Sequence, residues 1–138
     1  MFFHNDISKD HARAKKFFEN ILAFTIGTYS LKNLIKDHIT DITIIDVREY
    51  EDYIHGHIPF AIHIPYEHIE EHIDMLEKDK MIIIYTYNDS CPRAYKSAWI
   101  LTDKHFHAVT LRGGFCQWKK FDFDIIKTDA KTHTKENN

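Results

Sequence analysis

Sulfur and imidazole are the side chains here most able to do chemistry, and the 138 residues include two cysteines and eleven histidines. Cys91 ends the stretch Thr86-Tyr87-Asn88-Asp89-Ser90-Cys91, which separates an apolar run from Pro92. Proline suits the first position of a helix, so Cys91 is expected in the N-cap region of a helix running to about Leu101. The positive end of that helix would favour thiolate, the nucleophilic form, with Arg93 and Lys96 adding to the field. The plainer reading of Cys91 is a small residue packed under the loop, and the residues leave both open. Cys116 follows the Gly113-Gly114 turn. It is expected as an isolated thiol near Trp118, since a disulfide needs Cα atoms within about 7 Å.

The histidines are expected to be structural or solvated. His68 and His72 share one face of a predicted helix, yet His68 lacks the following glutamate that zinc proteases carry. No metal site is expected. Asp46 and Arg48 have two readings. In one, Asp46 accepts hydrogen bonds at a strand end while Arg48 bridges neighbouring carbonyls or acids; in the other, Arg48 positions the loop or its ligand.

These residues need elements to hold them. Ile42 to Val47, Ala61 to Ile64, Met81 to Tyr85 and Ala108 to Leu111 read as strands; the run at Ile42 is apolar enough to be covered on both faces. Helical spacing appears over His11 to Ala23, over Leu31 to Lys36 with Ser30 as N-cap, and over Glu67 to Leu76. Short helices are read at Tyr50 to Ile54, closed by Gly56, and at Phe115 to Phe121. Alternating strands and helices indicate an α/β domain whose ligands collect at the carboxyl ends of the strands. That places the loops after Val47, Tyr85 and Leu111 at the site. Three segments follow: a helical extension packed on the domain (1–29), the domain itself (30–126) and a polar, disordered tail (127–138).

Composition removes whole classes of function. With 43% hydrophobic and 28% charged residues the chain is an ordinary folded domain. A net charge of −3 offers no footprint for nucleic acid. No apolar run reaches the ~20 residues that span a bilayer. Two cysteines make no disulfide framework, and the opening residues show no secretory signal, so a cytoplasmic location is expected.

Five motifs in order resemble the rhodanese-like domains over roughly residues 30–121. They are Asp46-Val47-Arg48-Glu49; Gly56-His57-Ile58-Pro59; Ala61-Ile62-His63-Ile64-Pro65; the strand, loop and helix of Met81 to Ala98; and Leu111-Arg112-Gly113-Gly114-Phe115 with Trp118. Phe17-Phe18-Glu19-Asn20 with Leu22-Ala23-Phe24-Thr25 is similar to an N-terminal extension of one single-domain subgroup, which often has a second cysteine at the far end of the loop. The resemblance implies a three-layer α/β sandwich with a central, mainly parallel sheet of about five strands flanked by helices. It also implies a sulfurtransferase loop in which a cysteine is ringed by inward-pointing amides that stabilise an anion.

Laid on that pattern, the loop is Thr86, Tyr87, Asn88, Asp89, Ser90 and Cys91, supported by Asp46, Arg48 and Arg93. The nucleophile's position then holds Thr86, whose hydroxyl cannot carry a persulfide. Asp89 brings a negative charge to a loop built for anions. Cell-cycle phosphatase chemistry is disfavoured, because the arginine that family places six residues after its nucleophile is here Pro92. The expectation is an impaired enzyme acting as a binding module for a small sulfur-containing anion or a protein thiol partner, without cofactor, metal, nucleic acid or membrane. The alternative is an active sulfurtransferase or thiol-redox protein using Cys91.

Overall fold

Three β-branched runs form the middle of the sheet: β2 (Ile42–Asp46), β4 (Met81–Tyr85) and β5 (Ala108–Leu111). Two edge strands of two residues each, β1 (Thr25–Ile26) and β3 (Ile62–His63), complete it. The computed structural model describes residues 7–128. Its strand order is β1-β5-β4-β2-β3, every pair parallel. β2 and β4 pair in full, from Ile42 against Met81 to Asp46 against Tyr85, so their carboxyl ends finish level. The short edges leave little unpaired backbone to recruit another strand.

A parallel sheet is covered on both faces, and alternate residues of each strand supply the two cores. Ile42, Ile44, Ile83, Tyr85, Val109 and Leu111 face α2 (Thr28–His38) and α5 (Gly114–Lys120), where Leu31, Phe115 and Trp118 pack. Ile45, Ile82 and Ile84 face the other way, onto Ala94 and Leu101 of α4 (Arg93–Asp103) and onto Ile69 and Leu76. α3 (Tyr50–His55) follows β2 and closes at Gly56.

Three sequence expectations change. α2 begins at Thr28 with Gly27 as its N-cap, because Leu31 N–H reaches the Gly27 carbonyl at 3.0 Å; Ser30 lies inside the first turn. Pro92 is the N-cap of α4, one residue before its expected place. The segment read as an α-helix from Glu67 to Leu76 is two 3-10 coils, Tyr66–His68 and Glu70–Met75. A 3-10 coil rises about 2.0 Å per residue against about 1.5 Å for an α-helix. The segment therefore covers more of the sheet while Ile69 and Leu76 still point inward.

The helical spacing of the N-terminal segment forms α1 (His11–Phe24), capped by the Asp10 carboxylate, but none of its residues is buried. Phe17, Phe18, Leu22 and Phe24 are exposed. At the other end, Ile126 bridges His57, and Thr128 N–H reaches the Ile54 carbonyl at 2.7 Å. Most of the expected polar tail, residues 129–138, lies outside the described residues. No helix among the described residues is long and apolar enough to cross a membrane.

The turn between β5 and α5 fits closely against the loop after β4. Gly113 and Gly114 have φ of 79° and 58°, and a Cβ on Gly114 would meet the Thr86 carbonyl oxygen at 2.6 Å. Both the dihedral and the contact require glycine. Gly114→Ala is expected to cost about 1–3 kcal/mol, read as a lower urea midpoint at unchanged slope.

Candidate functional site

Where β2 ends, Asp46 and Arg48 form a buried ion pair. Asp46 is 0% exposed and Arg48 4%. Arg48 Nη2 donates to Asp46 Oδ2 at 2.8 Å, Nε lies 3.1 Å from Oδ1, and the Arg48 backbone N–H donates to Oδ1 at 2.9 Å. Nη2 also donates to the Gly56 carbonyl at 2.6 Å, which ties β2 to the end of α3. The guanidinium lies 4.1 Å from the centre of the Phe115 ring. Burial pulls the Arg48 pKa down; the hydrogen bond and charge of Asp46 outweigh it, so the group stays charged above its ordinary range. Tyr85 stands beside the pair, fully buried, and its hydroxyl oxygen accepts from Ile58 N–H at 3.1 Å. Burial pushes its phenol well above the ordinary value.

Histidines brace the same corner. His57 Nδ1 donates to the Tyr53 carbonyl at 2.8 Å, and His63 Nε2 to the Arg48 carbonyl at 2.7 Å. Their rings stack on Tyr53, with centroids at 3.8 and 4.9 Å. His68 and His72 pair with Glu71 and with the His68 carbonyl respectively. Among the described residues no group of three or more potential ligands gathers at one point.

Thr86 follows β4 and is 2% exposed. Its Oγ1 lies 3.2 Å from Cys91 Sγ, so the two ends of the loop meet. Asn88 shapes the interval: its Oδ1 accepts from Ser90 N–H at 3.0 Å and from Cys91 N–H at 3.2 Å. Asp89 turns toward β5, where its Oδ1 accepts from Gly113 N–H at 2.8 Å. The carboxylate expected to repel anions from inside the loop thus fastens the loop to the glycine turn. From the far side, Phe115 and Cys116 N–H donate to the Thr86 and Tyr87 carbonyls, both at 2.9 Å.

Cys91 is half-buried. Burial raises its thiol pKa, but hydrogen bonds from Thr86 and from the Arg93 backbone and guanidinium, with the Arg93 charge, carry it below the ordinary value. Arg93 Nη1 lies 3.7 Å from Sγ, and its Nη2 is 3.3 Å from Glu49 Oε1. Lys96, expected to strengthen the same field, sits over the Tyr66 ring at 5.9 Å. Cys116 is exposed, and both cysteines are free thiols.

Two contributors were not legible in the sequence. The Tyr87 hydroxyl donates to the Asp52 carboxylate, joining the loop to α3, and Glu49 orients Arg93. These partners lie 35 and 44 residues apart, beyond the reach of any local spacing pattern.

Comparison with known proteins agrees with this fold. The family model described as "Rhodanese-like domain" matches residues 28–121. A thiosulfate sulfurtransferase of Coxiella burnetii, GlpE, is 32% identical over 80 residues, covering 57% of this chain and 73% of that protein. An HTH-type transcriptional regulator of Mycobacterium tuberculosis is 32% identical over 79 residues, and the match covers 57% of this chain but only 35% of the regulator. The crystal structure of a Bacillus halodurans protein has a TM-score of 0.77 at 28% identity, covering 89% of this chain and 97% of that one.

The buried pair and the thiol can be tested separately. Arg48→Met leaves Asp46 charged in an apolar site and is expected to cost about 3–5 kcal/mol in urea unfolding. A loss below about 1 kcal/mol would mean that water solvates Asp46. For the thiol, iodoacetamide labelling of Cys91 should reach its plateau at lower pH in the native protein than in the urea-unfolded chain. Thr86→Val and Arg93→Gln should each move that midpoint upward, since each removes a group that favours thiolate.

Proposed function

Since the chain belongs to the rhodanese-like domain family, we propose that it is a sulfur-handling domain whose position 86 carries no persulfide and whose reactive sulfur is Cys91. One observation carries this reading: Thr86 Oγ1 at 3.2 Å and Arg93 Nη1 at 3.7 Å converge on Cys91 Sγ. A buried hydroxyl with no adjacent general base is a weak nucleophile, but it is a good donor to a neighbouring thiolate. The likeness to a thiosulfate sulfurtransferase supports sulfane sulfur as the transferred group.

The step is a displacement. Cys91 thiolate attacks the outer sulfur of thiosulfate, the S–S bond breaks, and sulfite leaves with the electron pair. Cys91 then holds a persulfide, whose outer sulfur passes to an attacking thiolate or cyanide, and the Cys91 thiolate returns. Thr86 O–H and the Arg93 guanidinium hold the anionic sulfur in both forms.

The second reading is a binding module without sulfur transfer, and the buried Thr86 in place of a thiol favours it. The loop geometry weighs against its anion-binding version. Asn88 Oδ1 already occupies two of the loop's amides, the Ser90 and Cys91 N–H groups, that an anion in the loop would draw on.

Thiosulfate:cyanide transfer is expected to be weak in the native protein and absent in Cys91→Ser. Turnover that survives Cys91→Ser would overturn the Cys91 assignment, and no turnover or sulfur uptake in the native protein would favour the binding module. The Thr86→Cys/Cys91→Ser double variant should gain one sulfur from thiosulfate by intact mass, since the scaffold around position 86 is otherwise complete.

A further inference from the structure

A cavity of about 830 Å3 opens on the side of the loop where α5 docks, within the range of small-molecule sites. Cys116 lines it and Cys91 does not. Phe115 and Ile125 form an apolar wall, and Lys119, Lys120 and Lys127 bring three ammonium groups. The acidic lining residue is Asp52, whose carboxylate already accepts the Tyr87 hydroxyl. His55 also faces the cavity, with its Nδ1 on the Glu51 carbonyl.

Arg48 adds an observation that does not depend on the cysteine. Its Nε and Nη2 hold Asp46 and the Gly56 carbonyl, whereas Nη1 has no acceptor among the described residues. No sealed side-chain nitrogen among those residues is left without a partner, so Nη1 is not fully sealed, and Arg48 is one of the residues that line the cavity. A guanidinium edge held rigid from behind, with lysines around it, is complementary to carboxylate.

We propose that this cavity binds a low-molecular-weight disulfide bearing carboxylates, and that Cys116 exchanges with it. The Cys116 thiolate attacks one sulfur of the disulfide, forming a mixed disulfide and releasing the other half as thiolate. Cys116 is oxidised and the small disulfide reduced, with no other co-reactant. The cationic lining gathers the anionic disulfide, Arg48 Nη1 receives a carboxylate, and the apolar wall takes its methylenes. The cavity borders the loop at Tyr87 and Asn88 but not at Cys91, and exchange at Cys116 stands whether or not Cys91 transfers sulfur.

The test uses the reduced native protein with three disulfides: oxidised glutathione (anionic), hydroxyethyl disulfide (neutral) and cystamine (cationic). Peptide mapping separates the two thiols, because trypsin cleaves at Arg93 and Arg112 between them. Each rate at Cys116 is divided by the rate of the same reagent on the urea-unfolded chain, which removes intrinsic reactivity. The normalised rate for oxidised glutathione is expected to exceed that for cystamine by about tenfold at low ionic strength, with the neutral reagent between them. Added salt on the native protein should erase the preference, as should Lys119→Gln/Lys120→Gln, whose lysines are exposed. Equal rates, a preference for cystamine, a preference that persists in salt and in the double variant, or no modification of Cys116 would each overturn the proposal. Labelling of Cys91 in the same digests reports on the other thiol, so failure at one site is distinguishable from failure at the other.

Discussion

The Asp46 carboxylate, wholly removed from solvent, and the Arg48 guanidinium, nearly so, form the interaction on which the surrounding structure depends. Separating two such charges leaves one of them unpaired in a medium that cannot solvate it, at a cost of several kcal/mol. The pair therefore holds its geometry, and its neighbours inherit that geometry. The Gly56 carbonyl fixes the end of α3, the Phe115 ring lies against the guanidinium face, and His63 secures the Arg48 carbonyl. Through Phe115 the constraint passes to α5, whose first amides hold the Thr86 and Tyr87 carbonyls.

The loop is thus fastened from outside by its carbonyls and from inside by its own side chains. Asn88 gathers two amides, and Asp89 closes onto Gly113. This differs from a cradle whose amides all wait for an anion, because several donors already have partners. What remains oriented is the contact between the two ends of the loop, where a hydroxyl and a guanidinium face one sulfur. A second sulfur, Cys116, lines a cavity beside the loop to which Arg48 also belongs. One buried guanidinium thus holds the scaffold through Nε and Nη2 and also belongs to the cavity lining.

Much of the fold was legible in the residues. Strands alternating with helical runs indicated a parallel sheet between helices, and the apolar run from Ile42 to Val47 marked a strand covered on both faces. The motifs from Asp46 to Trp118 carried the family, and the Gly113-Gly114 turn carried its own dihedral requirement. The 3-10 form of residues 66–75 was not legible, because apolar residues three and four apart suit either coil. The exposure of α1 was equally hidden: an apolar stripe states that a face is oily, not that the domain offers a surface to receive it.

The sequence by itself determined which chemistry could be present: two thiols, a threonine and a cysteine at the two ends of one loop, and a charged pair beside a strand end. Those are properties of residue types and of short-range order along the chain. Tertiary structure alone decided what each group does. Asp89 carries the same charge whether it points into the loop or at Gly113, and only the packing of β5 against β4 supplies the amide that turns it outward. Arg93 favours the Cys91 thiolate while Lys96 does not, although both stand on the same helix within two turns. The reason is positional: one side chain is met by Glu49 and the loop, the other by the Tyr66 ring. Electrostatic effects fall off over a few ångströms, and distances of that size between residues far apart in sequence exist only once the chain has folded.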